Sequence, residues 1–265
     1  MEQTVQKALN LLEALVRSGR PRRLTELSRE LGLTKPNVYR LLSTLSVLGY
    51  VKKDPTTTLY SPTLKLWELG SLLVRDVDMV SIAGPRLRQL CEDTQESVQL
   101  AVFDSGFAVY VDKVDSSQPL KAITTIGSRV PATVTSTGKA LLAWLAPEAI
   151  DQAMQHAKRY TPLTLLARRD IESDLEETRA RGYAINRGEF RTGVCGIAVP
   201  IRDRSGHVIA SMGVWGAEKS ILGARRDDLA RMALAAARDV SRSLGYLEPV
   251  AEKGRKVVAE AELEA

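Results

Sequence analysis

The sequence predicts an α+β protein in which an N-terminal winged helix-turn-helix precedes a linker helix and an antiparallel sheet packed with helices. Three observations support this architecture. Apolar residues recur at helical spacing at the start of the chain, a short hairpin pattern follows them, and two β-rich blocks then bracket a helical middle. With 265 residues the chain is long enough for one small and one ordinary domain. We place the boundaries at residues 1–62 for the winged helix, 63–80 for the linker helix, 81–248 for the sheet domain and 249–265 for a charged tail.

Positive charge is concentrated at the N-terminal end. Residues 1–70 carry eleven basic and six acidic residues, whereas the rest of the chain is balanced, so the whole net charge of +5 belongs to the first segment. A basic module joined to a neutral one is suited to phosphate attraction at one end only. A purely structural or interacting protein would not need this basic block, although an excess of this size also arises by chance.

The first helix is expected over residues 4–17, and Ser18-Gly19-Arg20-Pro21 ends it. Arg22 and Arg23 follow just before the next helix, where they could meet a phosphate backbone. Two solvated arginines are a nearly equal alternative. The apolar face of the first helix comprises Val5, Ala8, Leu9, Leu12 and Leu15 or Val16.

The pattern that organises the N-terminal domain lies at residues 24–48 and predicts two short helices joined by a tight turn. Thr25 and Thr34 can cap the two helices, Pro36 suits a first turn, and Gly32 supplies the turn between them. The outer face of the second helix is small and polar, which fits the DNA major groove, although an ordinary helical hairpin has the same pattern. The expected buried face comprises Val38, Leu41, Leu42, Leu45 and Leu48; the outer face comprises Pro36, Arg40, Ser43 and Val47, flanked by Asn37, Thr44 and Tyr39.

A two-stranded hairpin is expected next, with strands at residues 51–54 and 59–61 around a polar tip. Lys52 and Lys53 at its base are suited to phosphate and minor-groove contact. Residues 63–75 are more apolar than a solvated linker needs, so we expect a linker helix that also packs against a partner chain. The following helical stretch is expected to break near Ala83-Gly84-Pro85.

In the second domain the hydrophobic period changes to two at residue 97. A hairpin turning at Ser105-Gly106 is expected, then a third strand at 120–126 and a loop at 127–131. The other expected strands cover 183–186, 196–203 and 207–216, and helices start near Lys139 and cover 147–157, 167–181 and 225–244.

Ser136-Thr137-Gly138 immediately precedes the helix that starts near Lys139. Free N–H groups and the helix dipole at such a position make a natural carboxylate site, and a glycine lets a ligand approach the backbone closely. A plain helix cap is the simpler alternative on these residues alone.

The motifs together resemble those of IclR-family transcriptional regulators. The N-terminal motif is LTELSRELGLTKPNVYRLLSTLSVLGYV, followed by the wing and a helix with WELG. The C-terminal signature lies in GSRVPATVTSTGKALLAWL and RARGYAINRGEFRTGVCGIAVPIRDRSGHVIASMGVWG. The resemblance spans nearly the whole chain. It implies a winged-helix domain that binds palindromic or repeated sites on double-stranded DNA, a linker helix, a GAF-like effector-binding domain, and dimers that often pair into tetramers.

The resemblance also implies which residues carry each role. The DNA-reading helix matches residues 34–48, and relatives commonly have Ser where Pro36 stands, so base contacts are expected to rest on Asn37, Arg40 and Ser43. Effector carboxylates of relatives bind at the positions of Ser136 and Thr137. The DNA-contacting candidates carried over are Lys35, Pro36, Asn37, Tyr39, Arg40 and Ser43; the further effector-pocket candidates are Ala122, Val130, Asn186, Cys195 and Gly196.

Two departures from the family pattern concern the pocket. Several relatives have an acidic residue where Asn186 stands and a cysteine where Gly196 stands, whereas here Cys195 comes one position earlier. A one-residue step in a strand turns the side chain to the other face, so Cys195 is expected to point away from the ligand and Gly196 to leave extra room. We therefore expect a small organic acid, with an aromatic one as a hypothesis.

An enzyme is the alternative function, because Ser136-x-x-Lys139 matches the nucleophile motif of penicillin-binding enzymes. Its partner motifs are absent apart from a partial match at Ser173-Asp174-Leu175. His156 and His207 have no partners at metal-ligand spacing, so neither a metal nor a cofactor is expected. Two cysteines, the lack of a long apolar run and the lack of a signal core predict a cytoplasmic protein that does not span a membrane.

Overall fold

The structure is a computed structural model that describes residues 3–75, 79–117 and 125–247. It contains two compact units, Met1–Asp78 and Met79–Ala265. Residues 249–265, the expected tail, and most of the expected strand at 120–126 lie outside the described residues.

The first unit is a winged helix. Three helices enclose a core of leucines and a valine, and a two-stranded antiparallel hairpin closes it through Val51 and Tyr60. The hairpin needs this support, because a pair of three-residue strands is marginal alone. The elements are α1 (Gln3–Arg17), α2 (Leu24–Leu31), α3 (Lys35–Val47), β1 (Val51–Lys53), β2 (Tyr60–Pro62) and α4 (Lys65–Arg75).

The buried face of α1 is rotated from the predicted one. Leu11 and Leu15 are fully buried, whereas Val5, Leu9 and Val16 are 56%, 54% and 48% exposed. Ala8, Leu12 and Leu15 of the predicted face do pack inward, whereas Val5, Leu9 and Val16 do not, because α1 carries apolar residues over a wide arc and periodicity does not say which part meets α3. An apolar stripe therefore remains on the outside of α1.

The helix-turn-helix elements are confirmed, but the expected threonine caps are wrong. Arg23 is the N-cap of α2, so Thr25 lies inside that helix. Thr34 does hold the N-cap position of α3, yet its hydroxyl makes no capping hydrogen bond. Gly32 has a φ of 65° and ends α2 as expected, since the left-handed region favours glycine. Leu48, expected in the core, lies beyond the last turn of α3 and is exposed.

The second unit begins with α5 (Met79–Thr94), which runs through Pro85 without the predicted break. Pro85 is exposed while its neighbours Gly84 and Leu87 are buried, so the ring points to the solvent side of a helix whose other side is packed. Tertiary packing thus outweighs the hydrogen bond that the proline removes. Residues 76–78, within the expected linker at 63–80, lie outside the described part of the chain.

A six-stranded antiparallel sheet forms the centre of the second unit, with strand order β5-β4-β3-β8-β7-β6. The tight turn between its first two strands has Ser105 and Gly106 at φ of 49° and 90°, as the hairpin pattern predicted. The segment Arg129–Pro131 was expected to be a loop, but it pairs with β4; three residues with a proline are too short for a periodic signal. The strands are β3 (Ser97–Asp104), β4 (Phe107–Val114), β5 (Arg129–Pro131), β6 (Ala184–Asn186), β7 (Val194–Arg202) and β8 (Val208–Ala217).

Helices cover both faces of the sheet. One face packs large aliphatic side chains against α5 and α10 and forms the main core. The opposite face is built of small residues, and α6 lies directly on it. The remaining helices are α6 (Ser136–Leu142), α7 (Pro147–Met154), α8 (Arg168–Arg181), α9 (Glu218–Ile221) and α10 (Arg226–Ser243), and a 3-10 turn (Ala132–Val134) precedes α6.

Candidate DNA-reading surface and effector site

The outer surface of α3 presents most of the predicted DNA-contacting side chains to solvent. Lys35, Pro36, Tyr39 and Arg40 are exposed, and Ser43 is half-buried. In the described part of the chain neither Lys35 nor Arg40 has a carboxylate within salt-bridge distance, so both cations are available. The packed leucine face fixes this orientation, because Val38 and Leu42 are fully buried on the other side.

Arg22 does not present a free guanidinium. Its Nε lies 2.6 Å from Glu26 and its NH2 group 2.7 Å from Glu30, and its side chain is 13% exposed. Its backbone N–H and carbonyl also pair with Tyr60 in β2, each at 2.8 Å. The two carboxylates, Glu30 first, raise the pKa of Arg22. The geometry contradicts the expected phosphate contact: Arg22 ties α2 to the wing, whereas neighbouring Arg23 is exposed and has no ion pair among the described residues.

Hydrogen bonds at the tip of the hairpin stabilise the turn of the wing. The carboxylate of Asp54 accepts hydrogen bonds from the N–H groups of Thr56 (2.9 Å) and Thr57 (2.7 Å), and these hold its pKa below the usual range. Lys52 and Lys53 are exposed at the base, with Lys53 Nζ 5.7 Å from the ring centre of Tyr60. The two lysines are therefore presented on a fixed hairpin.

In the second unit, the first turn of α6 is buried and bounded by hydroxyl groups. Ser136 and Thr137 are 7% and 3% exposed. The N-cap is Thr135, whose hydroxyl accepts the N–H of Gly138 at 3.0 Å. The hydroxyl of Tyr110, on β4, is hydrogen-bonded to the side chains of Thr137 and Thr135; burial raises its pKa, and these bonds partly oppose the rise. The sequence did not reveal Tyr110, because nothing local to β4 indicates contact with α6, whereas a threonine directly before a helix is a local N-cap signal that could have identified Thr135.

Gly138 serves packing and not ligand access. A Cβ at this position would lie 2.2 Å from the carbonyl oxygen of Ala132 and 2.4 Å from its Cα. The 3-10 turn thus crosses α6 at backbone contact, and the N–H of Gly138 is taken by Thr135. The expectation that a ligand approaches the backbone at Gly138 is wrong. Within the first turn of α6, the N–H groups of Ser136 and Thr137 have no acceptor among the described residues, whereas those of Gly138 and Lys139 do.

Cys195 and Gly196 lie on opposite faces of β7, as the one-residue step predicted. Cys195 packs in the main core beneath α5 and α10, and burial first, then Glu218 and Glu189, raise the pKa of its thiol to about 11. It is therefore not part of the α6 face and is removed from the effector candidates. Gly196 does lie beside α6, but a Cβ there would be 2.7 Å from Ser136 Oγ. The expected extra room is thus filled by the Ser136 hydroxyl.

The three remaining pocket candidates, Val130, Asn186 and Ala122, have different outcomes. Val130 is buried with Tyr110 and Val134, next to the ring pair of Tyr160 and Phe190, whose centroids are 5.0 Å apart. Asn186 is adjacent to Gly196, but its amide nitrogen donates to the Val134 carbonyl and its oxygen accepts the N–H of Gly188. Both ends of the Asn186 amide are therefore used in hydrogen bonds that hold the backbone next to the site, and the amide is not free for a ligand. Ala122 lies outside the described residues.

Lys139 is buried behind this site and is tied to three oxygens. Its Nζ lies 2.6 Å from Glu189, 2.9 Å from Asp174 and 3.2 Å from the carbonyl of Ile185. The ammonium donates hydrogen bonds to Glu189 and the Ile185 carbonyl and forms an ion pair with Asp174, and none of these contacts is with the Ser136 hydroxyl. The Ser-x-x-Lys pair therefore lacks the contact that a nucleophile and its base require.

No described group of three or more His, Cys, Asp and Glu side chains is placed to hold a metal ion. His156 stacks on Phe107 at 4.2 Å and His207 Nδ1 lies 2.8 Å from Ser205 Oγ. Within the described residues no helix is both long and apolar enough to cross a bilayer.

Two family models match the chain. The model of the IclR helix-turn-helix domain matches residues 4–55, and the model described as bacterial transcriptional regulator IclR C-terminal matches residues 72–242. The chain belongs to the IclR family of transcriptional regulators. It is a ligand-responsive regulator with a DNA-binding N-terminal domain and an effector-binding C-terminal domain.

Relatives and solved structures agree with this assignment. The regulator KdgR of Escherichia coli is 34% identical, with 92% of this chain and 93% of KdgR covered. The acetate operon repressor of Salmonella typhimurium is 30% identical over 92% of this chain and 90% of its own. The crystal structure of the Thermotoga maritima IclR has a TM-score of 0.78 at 27% identity and covers 93% of this chain and 100% of that one. An IclR homologue from Microbacterium hydrocarbonoxydans complexed with 4-hydroxybenzoate has the same score at 20% identity, covers 91% of this regulator and 98% of its own chain, and supports the fold alone.

Proposed function

We propose that this regulator recognises its operator through α3 in the major groove, with the wing and Arg23 on the phosphate backbone. The observation that supports this most directly is the set of exposed cations without partners in the described chain, namely Lys35 and Arg40 on α3 and Arg23 beside α2. The proposed base contacts also include Asn37, Ser43 and Tyr39. The proposed surface further includes Thr25, Thr34 and Pro36 at its edge, and it extends along the wing through Lys52 and Lys53.

Arg40→Ala tests this proposal. If Arg40 contacts a base, specific affinity falls by about 1–3 kcal/mol, whereas binding to unrelated DNA is nearly unchanged. The operator is first selected from random-sequence DNA with the full chain, and affinity is then measured by gel-shift titration. Arg17→Ala is the matched control, because Arg17 is an exposed arginine of the same unit on α1. Equal losses for both variants would contradict a base contact by Arg40.

We further propose that the effector is a small organic acid whose carboxylate meets the first turn of α6. The N–H groups of Ser136 and Thr137, together with the hydroxyls of Thr135, Thr137 and Tyr110, form a cluster rich in donors beside the apolar wall of Val130 and Phe190. The rings of Tyr160 and Phe190 beside Val130 support an aromatic acid as the first ligand to test, and 4-hydroxybenzoate, the ligand of one structural neighbour, is included among the acids.

A thermal-shift screen of two- and three-carbon acids and benzoates, including 4-hydroxybenzoate, tests the ligand class. The expected result is stabilisation by a benzoate that is lost in Thr137→Val. Ser220→Ala is the control, because Ser220 binds Glu96 away from α6. Stabilisation by the shortest acids only would contradict the aromatic class, and no stabilisation by any acid would contradict the carboxylate site.

We propose that the regulator acts as a dimer or a dimer of dimers on palindromic or repeated DNA. The apolar stripe of Val5, Leu9 and Val16 on α1, and the exposed Leu64 and Trp67 at the start of α4, support self-association, because clustered large apolar side chains favour burial. Sedimentation velocity of the full chain, with Leu9→Glu as the disrupting variant and Glu13→Lys as an exposed control on the same helix, tests this. A monomer at micromolar concentration would contradict it.

We infer that the regulator is not an enzyme, needs no cofactor and works in the cytoplasm. The buried ion pairs of Lys139 support the first point, since they remove the base that Ser136 would need. The match to a bacterial regulator family supports the last, since such a regulator must reach the chromosome.

A further inference from the structure

The three residues that follow the DNA-reading helix have their carbonyl groups bound by Thr63, just before α4, and by Lys65, its first residue. The carbonyl of Leu48 accepts Lys65 Nζ at 2.7 Å, and the carbonyl of Gly49 accepts the Thr63 hydroxyl at 2.5 Å. The carbonyl of Tyr50 accepts the N–H of Thr63 at 2.9 Å. The last-turn carbonyls of α3 are capped locally by the N–H groups of Leu48, Gly49 and Tyr50, and the carbonyls of these three capping residues are in turn bound by Thr63 and Lys65.

Lys65 makes the central contact of this junction. Its ammonium lies at the negative end of the α3 dipole and 4.8 Å from the ring centre of Tyr50, so a dipole and a cation–π interaction act on one group. Its stem passes Gly49, where a Cβ would lie 3.7 Å from Lys65 Cδ, and Gly49 has a φ of 78°. A Cβ at that distance would make an ordinary contact, so the lysine stem packs against position 49 and glycine is favoured there by its left-handed φ.

The same residues also start α4. The Thr63 hydroxyl accepts the N–H of Lys65 at 3.3 Å, and Leu66 packs against the core of the winged helix. The first turn of α4 is consequently held by polar contacts to α3 on one side and by an apolar contact to the core on the other. A free hinge at this point would have neither.

We propose that Lys65 is a positioning residue that fixes the axis of α4 relative to α3 and thereby sets the distance between the two DNA-reading helices of a dimer. The proposal rests on the dimer proposed above. The eleven residues of α4 rise about 16 Å, so a change of about 10° at its first turn displaces its far end by about 3 Å. That is close to the rise of one base pair, about 3.4 Å. A less rigid junction between α3 and α4 should therefore let the dimer bind operators with a wider range of half-site spacings.

The spacing of the operator half-sites provides the readout. The operator is selected from random-sequence DNA with the full chain. Affinity is then measured for one half-site, for the selected spacing, and for spacers changed by about one and two base pairs. Lys65→Met keeps the apolar stem but removes the ammonium, Lys65→Arg keeps a donor, and Lys7→Met on α1 removes the same charge from the same unit.

Lys65→Met is expected to leave half-site affinity within about two-fold, and to reduce the preference for the selected spacing by about ten-fold, the equivalent of one hydrogen bond to a charged group. Lys65→Arg should restore the preference, and Lys7→Met should not change it. A merely structural role would instead lower half-site and full-site affinity in parallel.

Two results would overturn the proposal: full spacing preference in Lys65→Met, or a parallel loss of half-site and full-site binding. If Lys65→Met does not fold, as judged by circular dichroism, Thr63→Val cuts the neighbouring link and takes its place with the same expected outcome. A wild-type chain without spacing preference would overturn the dimer and the role of Lys65 together, whereas a result confined to the variants concerns Lys65 alone.

Discussion

Replacing Gly138 by alanine should destabilise the second unit, although alanine is the better helix former. The new Cβ would lie 2.2 Å, 2.4 Å and 2.6 Å from the O, Cα and C atoms of Ala132. All three are backbone atoms, so the contact cannot be relieved by a side-chain rotation. Overpacking of this kind costs about 1–3 kcal/mol and occasionally more, which exceeds the gain of up to about 1 kcal/mol from helix propensity.

Gly70 provides a matched control. It is also a glycine inside a helix, α4, but a Cβ there meets no described atom within 4 Å. Gly70→Ala should therefore stabilise the first unit by about 0.4–1 kcal/mol. For Gly138→Ala we expect a net loss of about 1–2 kcal/mol in the free energy of unfolding, or an unfolding temperature about 2–8 °C lower for a unit of this size.

The assay is urea unfolding of the full chain, followed by tryptophan fluorescence in a Trp67→Phe background. The two remaining tryptophans, Trp144 and Trp215, both lie in the second unit, so the signal reports that unit alone. Circular dichroism of the wild-type background reports the Gly70→Ala effect. If Gly138→Ala were within about 0.5 kcal/mol of wild type, the 3-10 turn would not be fixed against α6 and the close-contact argument would be refuted.

Three further predictions concern contacts that the sequence did not reveal. Arg22→Ala should lower the stability of the first unit by about 1 kcal/mol, because Glu26 and Glu30 lose the guanidinium that they share. Urea unfolding followed by Trp67 fluorescence in a Trp144→Phe, Trp215→Phe background measures this loss. An unchanged unfolding transition would contradict the structural role of Arg22 and leave a phosphate contact as the alternative. Asn186→Asp should cost about 1–3 kcal/mol, because the Val134 carbonyl would lose a donor and face a carboxylate, whereas Asn10→Asp on the surface of α1 should be neutral in the same urea titration. The pKa of Asp54 is lowered by the N–H groups of Thr57 and Thr56, so its contribution to wing stability should be present above the unfolded pKa of about 3.9 and be lost as pH falls through the folded value. Thermal melts below about pH 5 should show this loss in wild type and not in Asp54→Asn; identical slopes would exclude it.

The parts of the fold that sequence predicted well are those with local signals. The buried face of α3, the wing and the turn at Ser105-Gly106 depend on spacing and on turn residues within a few positions of each other. The second site was predicted from the free N–H groups before the helix at Lys139, with a plain helix cap as the alternative, and the family resemblance then favoured an effector carboxylate at Ser136 and Thr137. Strand alternation correctly predicted that Cys195 and Gly196 face opposite sides of β7.

The wrong predictions share a physical cause. In each case the local sequence allowed more than one conformation or role, and tertiary contacts determined which one the structure adopts. The apolar circumference of α1 allowed two buried faces, and the position of α3 selected the one with Leu11. Pro85 is tolerated because the opposite side of α5 is packed. Gly138 and Gly196 resemble ligand-access glycines, yet each is required by a neighbouring protein atom.

The residues that sequence missed act over long separations. Tyr110 meets Thr135 and Thr137 across the sheet, and Lys139 meets Glu189 fifty positions later. Lys65 reaches back 17 positions to the end of α3. No local period or motif encodes such contacts, so only the folded chain identifies them.

The face of the sheet beneath α6 constrains how this regulator can diverge in evolution. Ala184, Ala198 and Gly213 lie there, and a Cβ on Gly213 would already be 2.7 Å from that of Ala198. Larger residues at these positions would push α6 away from the sheet. We therefore expect substitutions there to destabilise the fold and not to produce new ligand preferences. At the effector site proposed above, we expect differences in specificity to arise at neighbouring side chains such as Tyr160 and Phe190, while Ala184, Ala198 and Gly213 stay the same.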